Sequence, residues 1–219
     1  MYRTQPVPGL GGRTPAYPRG KVIGGSSAIN AMLYMRGQAA DYDGWRQMGL
    51  DGRGWDEVLP YFKQHEDHWL GANAAHGAGG EWHVDAARMR RDIPDAFAEA
   101  AVESGIPRSA GCNTGDNEGI ACFEVNRKHG SRWSAARGFL KPVLDRPNPT
   151  LFARMQVRRI LLENHRAAGV ACAGREGPLV LTARRAAILS AGAVASPHIL
   201  QQSGIGPGAV LQGAGIACA

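Results

Sequence analysis

No stretch of this chain comes near the roughly 18 consecutive apolar residues that a membrane-spanning helix needs, so no bilayer crossing is expected. The opening "MYRTQPVPGL" lacks the apolar core of a secretory signal, which leaves export unsupported and makes the cytoplasm the expected compartment. Four cysteines, Cys112, Cys122, Cys172 and Cys218, form no C-x-x-C pair. That spacing argues against a zinc knuckle or a dithiol redox site and fits thiols of a reducing compartment. A strand–GxGxxG–helix unit is also missing: "GIGPGA" at Gly204 carries Pro207 and follows no strand, and "GLGG" at Gly9 follows prolines. The net charge of +6 is spread over short pairs, Arg90/Arg91, Arg158/Arg159 and Arg184/Arg185, without interleaved aromatics. Nucleic-acid binding is therefore not expected; a basic surface beside an anionic cofactor accounts for the balance equally well.

What is present is a globular composition, 44% hydrophobic and 20% charged in 219 residues, enough for one ordinary core or two small ones. Residues up to Tyr17 are loop-like, with Pro6, Pro8 and Pro15. After Asn30, "AMLYM" reads as a short apolar helical patch. "DEVLPYFKQHED" reads as a helix capped by Asp56, with Pro60 in its first turn. "GANAAHGAGG" (71–80) is a flexible connection. "IPDAFAEAAVESG" is a helix that Gly105 stops, and "SRWSAARGFLKPVL" one that Pro142 ends or kinks. From Leu151 the pattern turns β-rich: two strands joined at "NHRA", then "PLVLT", then an apolar "AAILS". "SPHILQQSG" closes with Ser196 as N-cap, Pro197 at the first helical position and Gly204 past the end.

Two glycine loops stand out. In "RGKVIGGSSAIN", Gly24 and Gly25 permit positive φ and remove Cβ atoms where a ligand meets the backbone. Ser26 and Ser27 suit the N-terminus of a short helix from Ala28, whose free N–H groups favour a phosphate or an electron-rich ring. "ILSAGAVASP" is similar in kind: strand, Gly192, capped helix, the arrangement at which α/β folds seat ligands. Each alone is equally an ordinary turn before a helix, or a glycine-loop phosphate site of another kind.

Together with their surroundings, the two loops resemble the glucose–methanol–choline (GMC) oxidoreductases, flavoenzymes that oxidise alcohols. "GKVIGGSSAINAMLYMRGQAADYD" is similar to the family's first signature and "GAVASPHILQQSGIG" to its second. Between them "GWDEVLPYFKQHE", "GSRWSAARGFLKP" and "RPNPTLFARMQVRRILLENHRAAGV" fall in the family's order. The resemblance spans essentially the whole chain and implies an α/β fold, partly α+β, with FAD as cofactor. It implies that Val22, Gly24, Gly25 and Ser26 lie beside the flavin and that Asn30, Ala31, Met32 and Leu33 run along the isoalloxazine. It places Val157 at the adenine and Ser190, Ala191 and Gly192 along the same cofactor. Ser26, Ser27 and Ala28 occupy the stretch where some relatives carry a histidyl link, so noncovalent FAD is expected.

The family's dinucleotide unit precedes this region and its catalytic histidine follows it, so the resemblance implies a middle piece. Residues 1–75 and 140–219 are expected to supply part of a discontinuous FAD-binding domain, and 76–139 the start of the substrate-side domain. Later strands are then expected to show an unpaired edge. No catalytic residue is expected in the chain. His198 sits at a variable helix position; His76, His83, His129 and His165 lie in loops or at strand margins. His65 and His68, at i, i+3, read as a solvated helix end rather than metal ligands. The implied reaction is oxidation of a small alcohol to an aldehyde, with the chain inactive by itself. The alternative is a non-catalytic fragment, or a subunit needing a partner chain.

Overall fold

A computed structural model describes residues 2–87 and 92–219. The basic pair Arg90/Arg91 lies outside the described residues. Helix and sheet are mixed as expected, and the chain packs as two units, Met1–Pro149 and Thr150–Ala219.

The first unit opens with a small antiparallel ribbon of β1 (Tyr2–Arg3) and β2 (Ala16–Tyr17) where only loop is expected; Pro6, Pro8 and Pro15 all fall between the two strands and so spare their pairing. One 3₁₀ turn, Gly25–Ala28, leads into β3 (Leu33–Tyr34). Helix α1 (Ala39–Gln47) begins where the Asp41 carboxylate accepts the Gln38 N–H at 2.8 Å. Helix α2 (Trp55–His65) begins where Glu57 accepts the Gly54 N–H at 2.9 Å. Each of these bonds satisfies a donor that the helix itself leaves orphaned. Tyr42 of α1 joins the two helices, its ring 5.6 Å from Trp55 and 5.8 Å from Phe62.

Strand β4 (Glu66–His68) continues α2 and pairs parallel with β5 (Trp82–Ala86). After α3 (Asp92–Glu103), β6 (Glu124–Val125) lies antiparallel between β3 and β5, giving the order β3-β6-β5-β4. The β7 (Arg127–Lys128) to β8 (Ser131–Arg132) hairpin follows, and then a π-helical turn, Ala136–Leu140, and a 3₁₀ turn, Lys141–Val143.

In the second unit β9 (Gln156–Glu163), β10 (Arg166–Gly174) and β11 (Gly177–Thr182) form an antiparallel meander in the order β11-β10-β9. The β9–β10 turn is Asn164-His165 with φ of 50° and 60°, the left-handed pair that matches strand twist in two-residue hairpins. Helix α4 (Gly192–Gln202) packs on β9, and α5 (Gly208–Gly213) follows. Ile160, Cys172, Ile199 and Leu211 are buried here. Ser203 ties helix to sheet: its hydroxyl donates to the Ile199 carbonyl and accepts the Ile160 N–H at 2.8 Å.

Several expectations are corrected. "AMLYM" is not helical: Met32 takes φ +66° and Leu33–Tyr34 join the sheet, because pairing with Val125 and Glu124 outweighs local preference. Neither Ser26 nor Ser27 caps a helix from Ala28, since the only turn there ends at Ala28. Asp56 is not the cap of α2, and Pro60 is its sixth residue rather than part of the first turn. Likewise α4 starts at Gly192, with Ser196 and Pro197 inside it. Each proline leaves the carbonyl four residues earlier, on Asp56 or Ala193, without an intrahelical donor. Both residues are exposed, so neither carbonyl is enclosed in a core. "SRWSAARGFLKPVL" yields a strand and two short turns, not one helix. "AAILS" forms no strand: among the described residues nothing pairs with it, and Ile188 is 92% exposed. Gly204 does end α4: its φ is +83°, and Gly204 and Ile205 donate to the Gln201 and Leu200 carbonyls.

Candidate functional site

The segment from Val22 to Leu33 is a tight, surface-lying turn. Gly24 (φ 94°) and Gly25 (φ 55°) bend the backbone so that Gly25 N–H donates to Val22 C=O at 2.8 Å and Asn30 N–H to Ser26 C=O at 2.9 Å. Ser27 fixes it from beneath, its hydroxyl donating to Gly24 C=O and accepting the Ala135 N–H at 2.9 Å. A Cβ built on Gly25 meets nothing within 4 Å, whereas one on Gly24 meets Ala136 Cβ at 3.2 Å. So Gly24 packs inward while Gly25 faces open space. Val22, Ile23, Ile29, Leu33 and Met35 are all exposed, an apolar run that water covers poorly. Beside Gly24 lies a shallow cavity of about 320 Å³ lined by Ala135, Ala136, Phe139, Leu140 and Val143.

The glycine that sequence reading passed over is Gly20. A Cβ there would run into the Gly25 carbonyl, and Gly20 N–H donates to Ser26 Oγ at 3.2 Å. Its signal, a glycine just ahead of the Gly-Gly pair, was present but unspecific.

Val22, Gly24, Gly25, Ser26, Asn30, Ala31, Met32 and Leu33 thus share one loop of the first unit. Val157, Ala191 and Gly192 belong to the second. Val157 is half-buried on β9 opposite Cys172. Ala191 and Gly192 are exposed at the start of α4, where the Ala191 N–H donates to Ser196 Oγ at 3.0 Å and a Cβ on Gly192 would meet open space.

Directly after the loop lies a buried polar network that the sequence did not disclose. Arg36 Nη2 is 2.8 Å from Glu66 Oε1, with both side chains essentially inaccessible. Glu66 also accepts the Gly77 N–H at 2.7 Å and faces His76 Nδ1 at 3.2 Å. Burial pushes the Glu66 carboxyl up, but the hydrogen bonds from His76 and Gly77 and the charge of Arg36 outweigh it and hold the group at about 2. Burial raises the Tyr34 hydroxyl to about 12 despite neighbouring Arg36. Asn113 accepts the Arg36 N–H at 2.7 Å and donates to Glu124 at 2.9 Å.

His68, expected on a solvated helix end, is buried on β4 with Nε2 2.6 Å from Glu124 Oε1. His65 instead lies between the Phe62 and Phe139 rings. Among the described residues His68, His76 and Glu124 are the one set close enough to suggest a metal. The geometry speaks against it. The imidazoles are stacked 3.8 Å apart at 16°, so their in-plane lone pairs cannot converge on one ion. Leu70 N–H also donates to His68 Nδ1 at 3.3 Å, which puts the proton on Nε2, facing Glu124. The cluster is a hydrogen-bonded brace.

A mixed fold with an exposed glycine turn and a second glycine-led helix leaves the main chain open to a ligand at Gly25 and at Gly192. The model of the GMC oxidoreductase family matches residues 7–212, and the chain belongs to that family. It is 42% identical over 217 residues to an oxygen-dependent choline dehydrogenase of Brucella anthropi, covering 98% of this chain and 39% of that protein. The chain therefore spans well under half the length of the curated relatives it matches. Among solved structures, pyridoxine 4-oxidase from Mesorbium loti superposes with TM-score 0.93 at 40% identity, over 99% of this chain and 43% of the other. An FAD-dependent oxidoreductase from Chaetomium thermophilum gives TM-score 0.93 at 29% identity, over 100% and 40%. FAD is the cofactor these comparisons indicate, and the expected α/β fold with FAD-binding architecture stands. No described helix is long and apolar enough to cross a membrane.

Proposed function

We propose that this chain forms part of an FAD-dependent enzyme that oxidises the CH–OH group of a small alcohol to an aldehyde. Relatives named for choline and pyridoxine, both hydroxyl-bearing, support that substrate class. FAD, when bound, supplies the acceptor for the hydride that leaves the alcohol carbon. In this reading Val22, Gly24, Gly25, Ser26, Asn30, Ala31, Met32 and Leu33 lie along the flavin, held noncovalently. Val157 meets the adenine, and Ala191 and Gly192 flank the same cofactor. Residues 1–75 and 140–219 would belong to the FAD-binding domain and 76–139 to the substrate side. The chain's own residues bind and orient: the Gly24–Gly25 bend lets the ring approach the backbone with no Cβ at Gly25 in the way, and the apolar flanks exclude water from one face of the ring. None is assigned to take the hydroxyl proton, so the chain by itself is read as inactive. Its free cysteines accord with a reducing, cytoplasmic setting.

The observation that carries this reading is the open side of Gly25 between exposed apolar residues. Titrating the purified chain into FAD tests it. Weak, saturable quenching of flavin fluorescence that Gly25→Val removes is expected; no quenching, or quenching indifferent to the substitution, sinks it. Alcohol-dependent dye reduction by the chain alone would overturn the inactivity. One observation favours a second reading, assembly with a partner chain: Ile188 is 92% exposed in an apolar segment that nothing pairs with among the described residues. Sedimentation with and without candidate partner chains separates the two.

A further inference from the structure

Arg132, on β8, reaches across to the glycine loop. Its Nη1 donates to Asn30 Oδ1 at 2.7 Å and lies 3.3 Å from the Ser27 carbonyl, so one guanidinium nitrogen bridges Ser27 and Asn30. Asn30 Oδ1 also accepts the Met32 N–H at 3.1 Å. Both groups facing that atom can only donate, which identifies it as the oxygen and turns the Nδ2 amino group the other way. Asn30 is exposed, so its two N–H donors are offered at the loop surface. Met32 is held left-handed at both ends, its N–H by Asn30 and its carbonyl by the Asn126 N–H at 2.7 Å. Arg132 is itself anchored: β8 pairs with β7, Arg137 donates to the Arg132 carbonyl, and neighbouring Trp133 donates to Glu81 C=O at 2.7 Å.

We propose that Arg132 is a positioning residue that locks the carboxamide of Asn30 with its N–H donors outward, presenting them to an acceptor atom of a bound heteroaromatic ring. This rests on the flavin reading for the identity of the ring, though not for the lock. The cation beside Oδ1 polarises the amide and strengthens Nδ2 as a donor. Arg132 acts through Asn30 and is not assigned a contact with the ring.

Amide hydrogen exchange on the flavin-free 219-residue chain tests the lock. Arg132→Met is expected to speed exchange in the 24–33 segment by about ten-fold, the loss of a charge-assisted bond, while β9 and β10 stay unchanged. Arg132→Lys, which can still donate one bond to Asn30, is expected to restore most of the protection. Unchanged exchange in Arg132→Met overturns the proposal. Should that variant not fold, Asn30→Ala leaves Arg132 in place and reads the same lock by the same criterion. Asn30→Asp then tests the presented donors. Its carboxylate accepts the same two bonds and keeps the loop protected, but it offers no N–H, so quenching of FAD fluorescence is expected to need about ten-fold more protein. Equal quenching by Asn30→Asp and the parent overturns the donor role. A parent chain that quenches no FAD, with Arg132→Met still loosening the loop, removes the flavin reading and leaves the lock standing.

Discussion

Asn30 and Arg36 are near neighbours in the chain and live in opposite physical regimes. Asn30 sits on an exposed turn where two bonds to one oxygen decide which way a side chain faces. Arg36 is buried, with Glu66, Tyr34, Ala75 and Asn113 around it. The buried site spends most of its polar groups on one another, away from solvent. The exposed turn is short of partners, and in the proposed flavin reading that shortage leaves donors for a ligand. A brace and a binding edge are built from the same chemistry at different degrees of saturation.

The largest expected effect comes from breaking the brace. Glu66→Gln removes the counter-charge of Arg36 and leaves a buried guanidinium unpaired, which should cost about 3 kcal/mol in urea denaturation at neutral pH. The same residue sets an acid limb. Its folded value is about 2 against an ordinary 4.5. A depressed carboxylate contributes stability that is complete above 4.5 and lost as pH falls from there towards 2. The stake is again about 3 kcal/mol, and Glu66→Gln should flatten that part of the stability–pH profile. Asp67, also depressed by hydrogen bonds from His83 and Gly79 that overcome its burial, should keep a residual slope. A variant whose acid limb matches the parent's would mean that the brace does not carry stability, and the contrast with the loop would fail.

Next in size is Gly20→Ala. A methyl group there collides with the Gly25 carbonyl, which is backbone and cannot swing aside, so the turn must shift. A loss of about 1–3 kcal/mol is expected, with faster exchange confined to the loop and the Arg36 brace unaltered. Loss of protection across β4 and β5 as well would show that loop and brace are one cooperative unit rather than two.

How much of this could be read beforehand follows from sequence distance. The β9–β10 hairpin was legible because alternating β-rich runs and Asn164-His165 are neighbours in the chain, and so was the Gly204 stop. The start of α4 was misplaced because Ser196 looks like a cap, while its oxygen reaches back to the Ala191 N–H from inside the helix. The brace was invisible, since Arg36, Glu66, His76 and Asn113 come from four separate segments and none carries a local signal. The glycine loop stood out by its composition, and the resemblance to a family signature gave it a cofactor. Physical spacing alone singled out Gly24 and Gly25 and missed Gly20, whose necessity lies in a contact with a residue further along.

The smallest effect should come from Met32, and it separates backbone shape from side-chain packing. A methionine at φ +66° costs roughly 1–2 kcal/mol relative to a right-handed or extended residue. Glycine removes that cost but loses more entropy on folding, about 0.5–1 kcal/mol. The difference spans roughly 0–1.5 kcal/mol, so Met32→Gly should be neutral to stabilising within that range when the melting curve is compared with the parent's. Protection of the Met32 amide should persist, because its N–H and carbonyl are held by Asn30 and Asn126 and not by its own side chain. A large loss instead would assign the half-buried methionine side chain to the brace and draw the boundary between the two regimes ahead of residue 32.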